Sequence, residues 1–136
     1  RAVVPGGWRM EVSPVEPSKE DTFLSVLEIG DRGGAGGLRV DGIEGHALAG
    51  AVIEGDAVVL FASAGEGEAT LPDLKTRSLL LAGLEPGASY EVQVTSGFAP
   101  GAPVWRAVAE AGDEGTASFL WEDVRDGRLR LRRVRG

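Results

Sequence analysis

Residues 79–94 read L-L-L-A-G-L-E-P-G-A-S-Y-E-V-Q-V, and this stretch decides the fold class. Its second half alternates strictly, with Tyr90, Val92 and Val94 on one side and polar residues on the other, as a strand with one buried face requires. Between the two apolar runs, Pro86-Gly87 supplies the dihedral angles of a tight corner between strands. We expect Tyr90 to anchor this corner by hydrogen-bonding back to the backbone, as a tyrosine does in immunoglobulin-type sandwiches. The stretch therefore predicts an antiparallel β architecture.

Length and composition indicate a single turn-rich domain covering residues 1–136. A chain of 136 residues can bury one hydrophobic core, and its 21 glycines and 7 prolines are typical of many short strands joined by turns. The formal charge of −7 disfavours nucleic acid as a partner, and no apolar run reaches the roughly 20 residues of a membrane span. Because the chain begins at Arg1 without a signal-peptide pattern, we expect a mature product or a domain excised from a larger protein. The absence of cysteine excludes disulfides but leaves the compartment open.

Short apolar segments separated by glycine or proline recur along the whole chain. Residues 22–29, T-F-L-S-V-L-E-I, predict a buried central strand, whereas residues 31–37 predict a hairpin tip and residues 63–68 an exposed loop. Roughly ten short strands at spacings of about 8–12 residues, without a helix, predict an all-β, antiparallel β-sandwich of jelly-roll type. The other predicted strands are residues 8–12, 38–40, 47–53, 57–61, 70–71, 78–81, 90–94, 104–108, 117–121 and 128–134.

The sequence offers little that could perform catalysis. His46 is its only histidine, and without cysteine a zinc site would need several carboxylates, so we predict no catalytic residue, no metal and no cofactor. The chain contains no P-loop, dinucleotide fingerprint or G-x-S-x-G elbow. Its 21 carboxylates leave two alternatives open, a glycosidase pair across a cleft and a calcium site in a loop such as Asp113-Glu114. Solvated loop charge is the simpler interpretation of these acids.

The last predicted strand carries an unusual concentration of arginine. Six of the 14 basic residues lie within residues 125–135. Alternation places Arg128, Arg130 and Arg132 on one face, about 6.6 Å apart, where their guanidinium groups could clamp carboxylates or sulfates bidentately. The alternative interpretation is that these arginines pair with acidic residues elsewhere in the chain or face a neighbouring domain.

Tryptophans form the second group of candidate ligand-binding residues. An exposed indole offers a flat apolar surface on which a sugar ring can stack. Trp8 and Trp105 each precede an arginine, which would place a stacking surface beside a hydrogen-bond donor. Trp121 shares a face with Phe119, and we predict that it belongs to the core. The predicted ligand-binding residues are Trp8, Trp105, Arg106, Arg128, Arg130 and Arg132.

Several segments, taken in order, resemble the C-terminal all-β domain of heparinase II/III-like polysaccharide lyases. They are W-R-M-E-V-S-P at 8–14, D-T-F-L-S-V-L at 21–27, V-V-L-F at 58–61, L-L-L-A-G-L-E-P-G-A-S-Y at 79–90 and G-T-A-S-F at 115–119. Such lyases join a helical toroid, which carries much of the catalytic apparatus, to β-sandwich domains that support it and help line the substrate cleft. The family's D-x-F-L segment is expected to carry a histidine where this chain has Ser25. For that reason, and because there is no toroid, we do not expect independent lyase activity.

The resemblance implies a non-catalytic accessory domain of a polysaccharide-degrading enzyme, with weak carbohydrate binding. It implies a secreted or periplasmic location and two partners, a polysaccharide (acidic or neutral) and a neighbouring catalytic domain. Neither a membrane nor a nucleic acid is an expected partner. Two alternatives remain open: the L-x-P-G-x-x-Y piece also resembles fibronectin type III modules, which bind proteins, and paired carboxylates would suit a small standalone glycoside hydrolase.

Overall fold

The computed structural model describes residues 12–17, 19, 23–28, 37–54, 56–72, 78–96, 103–121 and 127–135. Over these ranges the chain is all-β, as the sequence predicted, and contains no helix long and apolar enough to cross a membrane. The nine strands are β1 (Val40–His46), β2 (Leu48–Ile53), β3 (Ala57–Ala62), β4 (Glu66–Leu71), β5 (Ser78–Ala82), β6 (Ser89–Ser96), β7 (Trp105–Glu110), β8 (Ala117–Leu120) and β9 (Gly127–Arg133).

The described strands belong to one mixed sheet in the order β7-β6-β9-β4-β1-β2-β3-β5-β8. All neighbouring pairs are antiparallel except β3 and β5, which run parallel with Leu60 opposite Leu81. This pairing departs from the predicted all-antiparallel sandwich, both in its parallel pair and in its single continuous sheet. The parallel pair arises because β4, which lies between β3 and β5 in the chain, joins the opposite side of the sheet. The chain must therefore cross back before β5, and parallel neighbours need a crossover of this kind.

Strand β1 is the hinge of the sheet. Its first five residues pair with β2, whereas Gly45 and His46 pair with β4. A Cβ on Gly45 would overlap the carbonyl oxygen of Glu68 and lie 2.8 Å from the Cα of Ala69, so a glycine is required for this close approach. The sheet curls at β1 until its edge strands β7 and β8 come near each other, which gives a nearly closed, barrel-like shape.

The core fills the space inside the curled sheet with alternate residues from every part of it. Trp105 of β7 contacts Phe119 of β8 edge-to-face, with ring centroids 5.9 Å apart, and contacts Trp121 similarly at 5.4 Å. These aromatic contacts join the two edges, and Trp121 is buried in the core as predicted. The fully buried aliphatic side chains include Leu48, Val58, Leu60, Leu71, Leu79, Leu81, Val92, Val94, Leu129 and Leu131.

The corner before β6 has the geometry that its sequence predicted. Gly87 has a positive φ of 74°, and the Ala88 N–H donates to the carbonyl oxygen of Glu85 at 3.1 Å, which closes a turn with proline and glycine at its centre. The Glu85 N–H donates to the phenolic oxygen of Tyr90 at 3.0 Å. The buried Tyr90 ring therefore ties the corner to the core, and the predicted tyrosine anchor is confirmed.

The predicted buried strand at residues 22–29 is wrong over the part that the structure describes, residues 23–28. These residues form no strand, and Phe23 and Leu27 are 52% and 78% exposed. The Glu28 carboxylate accepts a hydrogen bond from the Leu38 N–H at 2.7 Å. Apolar content alone misled the prediction, because the described sheet fills its core without this segment. The predicted strand at 8–12 and hairpin tip at 31–37 fall mostly outside the described residues.

A second correction concerns the predicted loop at residues 63–68. The structure begins strand β4 at Glu66, so half of that stretch belongs to the sheet. Glu66 and Glu68 face outward while Gly67 and Ala69 are buried, so the alternation is present with small inward residues. Gly67 has no room for a larger side chain, since a Cβ there would lie 2.7 Å from the Leu48 side chain.

Candidate functional site

The outward side of β4, β9, β6 and β7 collects most of the arginines that the sequence singled out. Arg132 lies between Glu91 and Glu66 on the neighbouring strands, and Arg130 lies between Gln93 and Glu68. We call this surface the arginine face. Its outward residues are Glu66, Glu68 and Thr70 of β4, Arg128, Arg130 and Arg132 of β9, Glu91, Gln93 and Thr95 of β6, and Arg106, Val108 and Glu110 of β7.

Glu91 is the centre of the first charged cluster on this face. Although it points outward from β6, its side chain is only 1% exposed, because two arginines and a glutamine cover it. The Arg132 Nε–H donates to Glu91 Oε1 at 2.5 Å, and the Arg106 Nε–H and Nη2–H donate to Glu91 Oε2. The Gln93 side-chain amide donates to Glu91 Oε1 at 2.8 Å. Both carboxylate oxygens are therefore satisfied by charged or polar donors.

The pKa of Glu91 reflects two opposing effects. Burial disfavours the charged carboxylate and raises its pKa, whereas the hydrogen bonds and positive charges of Arg132 and Arg106 lower it. The two arginines prevail, so the pKa lies below its ordinary value of 4.5. Glu91 is consequently a buried anion at neutral pH.

Glu68 of β4 is the centre of a second, more open cluster. The Arg130 Nε–H donates to Glu68 Oε1 at 2.7 Å, and Arg128 Nη1 lies 3.9 Å from Oε2. The Arg130 hydrogen bond and charge lower the pKa of Glu68, with smaller contributions from Arg128 and His46. His46 lies beside Glu68 on β1, and two shallow grooves of about 280 and 220 Å³ flank this pair.

Arg106 and Arg132 contact their carboxylate through a different part of the guanidinium group than Arg133 does. Arg106 and Arg132 use the Nε side of the guanidinium towards Glu91, and both side chains remain 57% exposed. By contrast, Arg133 presents both Nη atoms to the two oxygens of Glu85, at 2.5 and 3.0 Å. The end of the Arg133 fork is thus occupied, whereas Nη1 of Arg106 and the two Nη groups of Arg132 make no described hydrogen bond.

The structure brings together four of the six predicted ligand-binding residues. Arg106, Arg128, Arg130 and Arg132 share the arginine face, and acidic residues of the same chain pair with all four. Trp105 points to the opposite side of β7 and packs on core aromatics, so it does not form one surface with Arg106. Trp8 lies outside the described residues.

Sequence reasoning missed the acidic half of this face. Glu91 was visible as part of the polar side of β6, but nothing in its own strand indicated that it would be buried. Glu68 was assigned to a loop. Their roles depend on which strands lie side by side, since β9 separates β6 from β4 in the sheet although it is the last strand in the chain.

The arginine face presents charged hydrogen-bonding groups at an open surface. Among the described residues, no three histidine, aspartate or glutamate side chains are grouped so as to hold a metal ion. His46 has carboxylates nearby at Glu68 and Glu66, but it lines open grooves rather than a deep cleft. The face offers exposed guanidinium donors beside carboxylate acceptors, which suits hydrogen bonding to acid groups and hydroxyls.

The outward side of the other half of the sheet is apolar. Leu120 of β8 is 82% exposed, and Phe61 of β3 and Leu80 of β5 are each 38% exposed. Val59 lies directly opposite Leu80, which makes the surface continuous across the parallel pair. We call this surface the apolar face; its apolar residues are Ala49 and Ile53 of β2, Ala57, Val59 and Phe61 of β3, Leu80 and Ala82 of β5, and Leu120 of β8. Ser78 of β5 and Ser118 of β8 share this side of the sheet.

No protein-family model matches this chain, and no curated protein shows significant sequence similarity to it. The resemblance to heparinase II/III-like lyases therefore stays a prediction.

Proposed function

We propose that this chain is a non-catalytic accessory domain of a polysaccharide-degrading enzyme, which packs against a neighbouring catalytic domain and binds polysaccharide weakly. The observation that carries the proposal is the division of one sheet into an arginine face and an apolar face. The former has the donors for acid groups and hydroxyls of a glycan, and the latter has the chemistry of a protein contact. The sequence resemblance supports the enzyme class, the role of the domain as a support for a catalytic neighbour, and a secreted or periplasmic location.

Charge balance on the arginine face favours weak binding. Its four arginines are matched by four glutamates, Glu66, Glu68, Glu91 and Glu110, and the whole chain carries a net charge of −7. Long-range attraction of a polyanion is therefore absent, and affinity depends on local hydrogen bonds from the guanidinium groups. Weak binding is useful when the binding domain is tethered to a catalytic domain, because the tether raises the effective concentration of the polysaccharide near the catalytic domain.

The supporting half of the proposal rests on the apolar face. Large apolar side chains are exposed on three adjacent strands at Phe61, Leu80 and Leu120, and Val59 lies opposite Leu80. On the β5–β8 pair the two leucines are diagonal neighbours, each opposite a serine. Patches of this kind mark protein contacts. The neighbouring catalytic domain is the expected partner.

The glycan half of the proposal is tested with Arg130→Ala, which removes a central guanidinium from the arginine face. We expect the wild-type domain to bind an acidic polysaccharide in calorimetry with millimolar to micromolar affinity, and Arg130→Ala to bind about tenfold more weakly, since charge-assisted hydrogen bonds are lost. Arg39→Ala is the matched control, because Arg39 also forms an exposed ion pair, with Asp41, but lies off this face. If the wild type binds neither acidic nor neutral polysaccharide, the glycan half is wrong.

A second candidate function is protein binding alone, as in fibronectin type III modules, and the apolar face favours it. Substitutions on the apolar face distinguish the two functions, because they affect the binding of a protein but not of a polysaccharide. Leu80→Ser and Leu120→Ser would abolish the binding of a protein partner but leave polysaccharide binding unchanged. Polysaccharide binding by the domain excludes the purely protein-binding alternative.

A further inference from the structure

Glu91 is the only buried charged side chain among the described residues, and it lies on a surface that is otherwise exposed. Burial of a carboxylate costs free energy unless hydrogen bonds and opposite charges compensate for it. An ion pair can form without this burial, as the exposed Arg39–Asp41 pair shows. The position of Glu91 therefore calls for an explanation beyond charge balance.

The hydrogen bonds of Glu91 determine the orientation of two arginines. One carboxylate oxygen accepts from the Nε–H of Arg132, and the other accepts from the Nε–H of Arg106. Gln93 donates to the first oxygen and fixes the carboxylate from the side. Because a guanidinium is planar, a bond at Nε sets the direction in which its Nη groups point. Arg106 also donates to Glu91 through Nη2, so its Nη1 group stays without a described partner, as do both Nη groups of Arg132. Glu91 thus orients two exposed guanidinium groups, one from β7 and one from β9.

We infer that Glu91 is a positioning residue that preforms an oxyanion site between Arg106 and Arg132. The site would take one sulfate ester or carboxylate group of a bound polysaccharide, so the inference rests on the proposed function. Two guanidinium groups and one carboxylate leave a single positive charge, which matches one oxyanion. Binding to preoriented forks loses less side-chain freedom than binding to mobile ones.

The remaining charges of the face leave this site accessible. Glu66 lies across Arg132 on β4, and Glu110 lies opposite Ser89 at the far end of the β6–β7 pair. No described ion pair links either glutamate to Arg106 or Arg132. The residue opposite Glu91 on β7 is Val108, which is 56% exposed and offers an apolar surface beside the site.

Glu91→Gln separates positioning from simple charge attraction, because the two predict effects of opposite sign. The substitution makes the protein more positive by one charge, so charge attraction alone would tighten the binding of dextran sulfate or polygalacturonate. Loss of positioning would instead weaken it by about tenfold. Glu85→Gln is the matched control: it makes the same charge change at the Arg133 pair and is expected to bind both polymers as tightly as the wild type, or more tightly.

A second variant keeps the test valid if Glu91→Gln does not fold. Arg106→Lys retains the charge and leaves Glu91 paired with Arg132, but it removes one fork. We expect about tenfold weaker polymer binding from it. The preferred polymer distinguishes a sulfate site from a carboxylate site. Wild-type-like or tighter binding by folded Glu91→Gln or by Arg106→Lys would overturn the inference while leaving the proposed function in place.

A small-anion titration makes the inference testable even if no polymer binds. Sodium sulfate is added to the protein, and the Nε–H signals of Arg106 and Arg132 are followed by NMR. Shifts of both signals in the wild type but not in Glu91→Gln would support the oxyanion site, even where the failure of polymer binding contradicts the proposed function. The same response in both proteins, or none in the wild type, would contradict the site itself.

Discussion

The arginine face and the apolar face are built by the same strand alternation, yet they differ in how their outward side chains are satisfied. On the arginine face, charges occur in compensated groups, and the buried Glu91 and half-exposed Glu68 each hold two arginines. On the apolar face, Phe61, Leu80 and Leu120 remain exposed beside small residues. The arginines and glutamates of one face thus compensate one another's charge, whereas the large side chains of the other face are exposed in the described structure.

The largest expected effect is on stability, and it should distinguish a residue of the core from its neighbour on the apolar face. Leu81→Ala should lower the free energy of unfolding by about 2–5 kcal/mol, because Leu81 is fully buried and its truncation leaves a cavity. Leu80→Ala, one residue away on the apolar face, should cost less than about 1 kcal/mol. Urea unfolding of both variants measures the contrast. Equal losses would mean that the apolar face is already covered within the chain.

The next effect tests whether the arginines of the arginine face compensate the buried charge of Glu91. The double variant Arg106→Gln/Arg132→Gln should destabilise the fold by more than the sum of the two single variants, because either arginine alone still compensates the buried Glu91. Thermal or urea unfolding of the wild type, both singles and the double gives the coupling. Additive losses would show that Glu91 does not depend on this pair.

Acid should weaken the same cluster. Because Arg132 and Arg106 outweigh burial and hold the folded-state pKa of Glu91 below 4.5, its ionised form stabilises the fold at neutral pH. That contribution is lost as the pH falls below 4.5 and through the lowered folded-state pKa. The unfolding free energy of the wild type should therefore decrease more steeply below pH 4.5 than that of Glu91→Gln. Parallel pH profiles for the two proteins would contradict this account.

The smallest of these effects concerns the corner that precedes β6. Tyr90→Phe removes the hydroxyl that accepts from the Glu85 N–H and should cost about 1 kcal/mol, with the ring still packed in the core. Glu85 also holds Arg133, so a loosened corner would disturb that pair but leave Arg106 and Arg132 oriented. Unfolding experiments and arginine NMR spectra test both statements. An unchanged stability would show that the anchor is dispensable.

Local pattern predicted much of this molecule. The alternation around Tyr90 and Val92 identified β6 and its corner, and the arginine spacing identified the outward side of β9 correctly. The sequence could not show that β9 lies between β6 and β4, because strand order depends on contacts between distant segments. For the same reason Glu91 and Glu68 could not be recognised as the partners of the arginines.

Two strand predictions were wrong because they gave too much weight to apolar content. Residues 23–28 contain four large apolar side chains but no pairing partner in the described sheet. Strand β4, in contrast, was partly overlooked because its inward residues near the hinge are Gly67 and Ala69. Close approach of the β1–β2 hairpin to β4 at this point selects small residues rather than large ones.

The most direct test of the central claim is the titration of the Glu91 side-chain carboxyl, followed by carbon NMR. If two arginines hold a buried, ionised carboxylate on the arginine face, the titration midpoint lies below 4.5 and rises when Arg106 and Arg132 are both replaced by glutamine. A midpoint at or above 4.5 in the wild type would contradict the account.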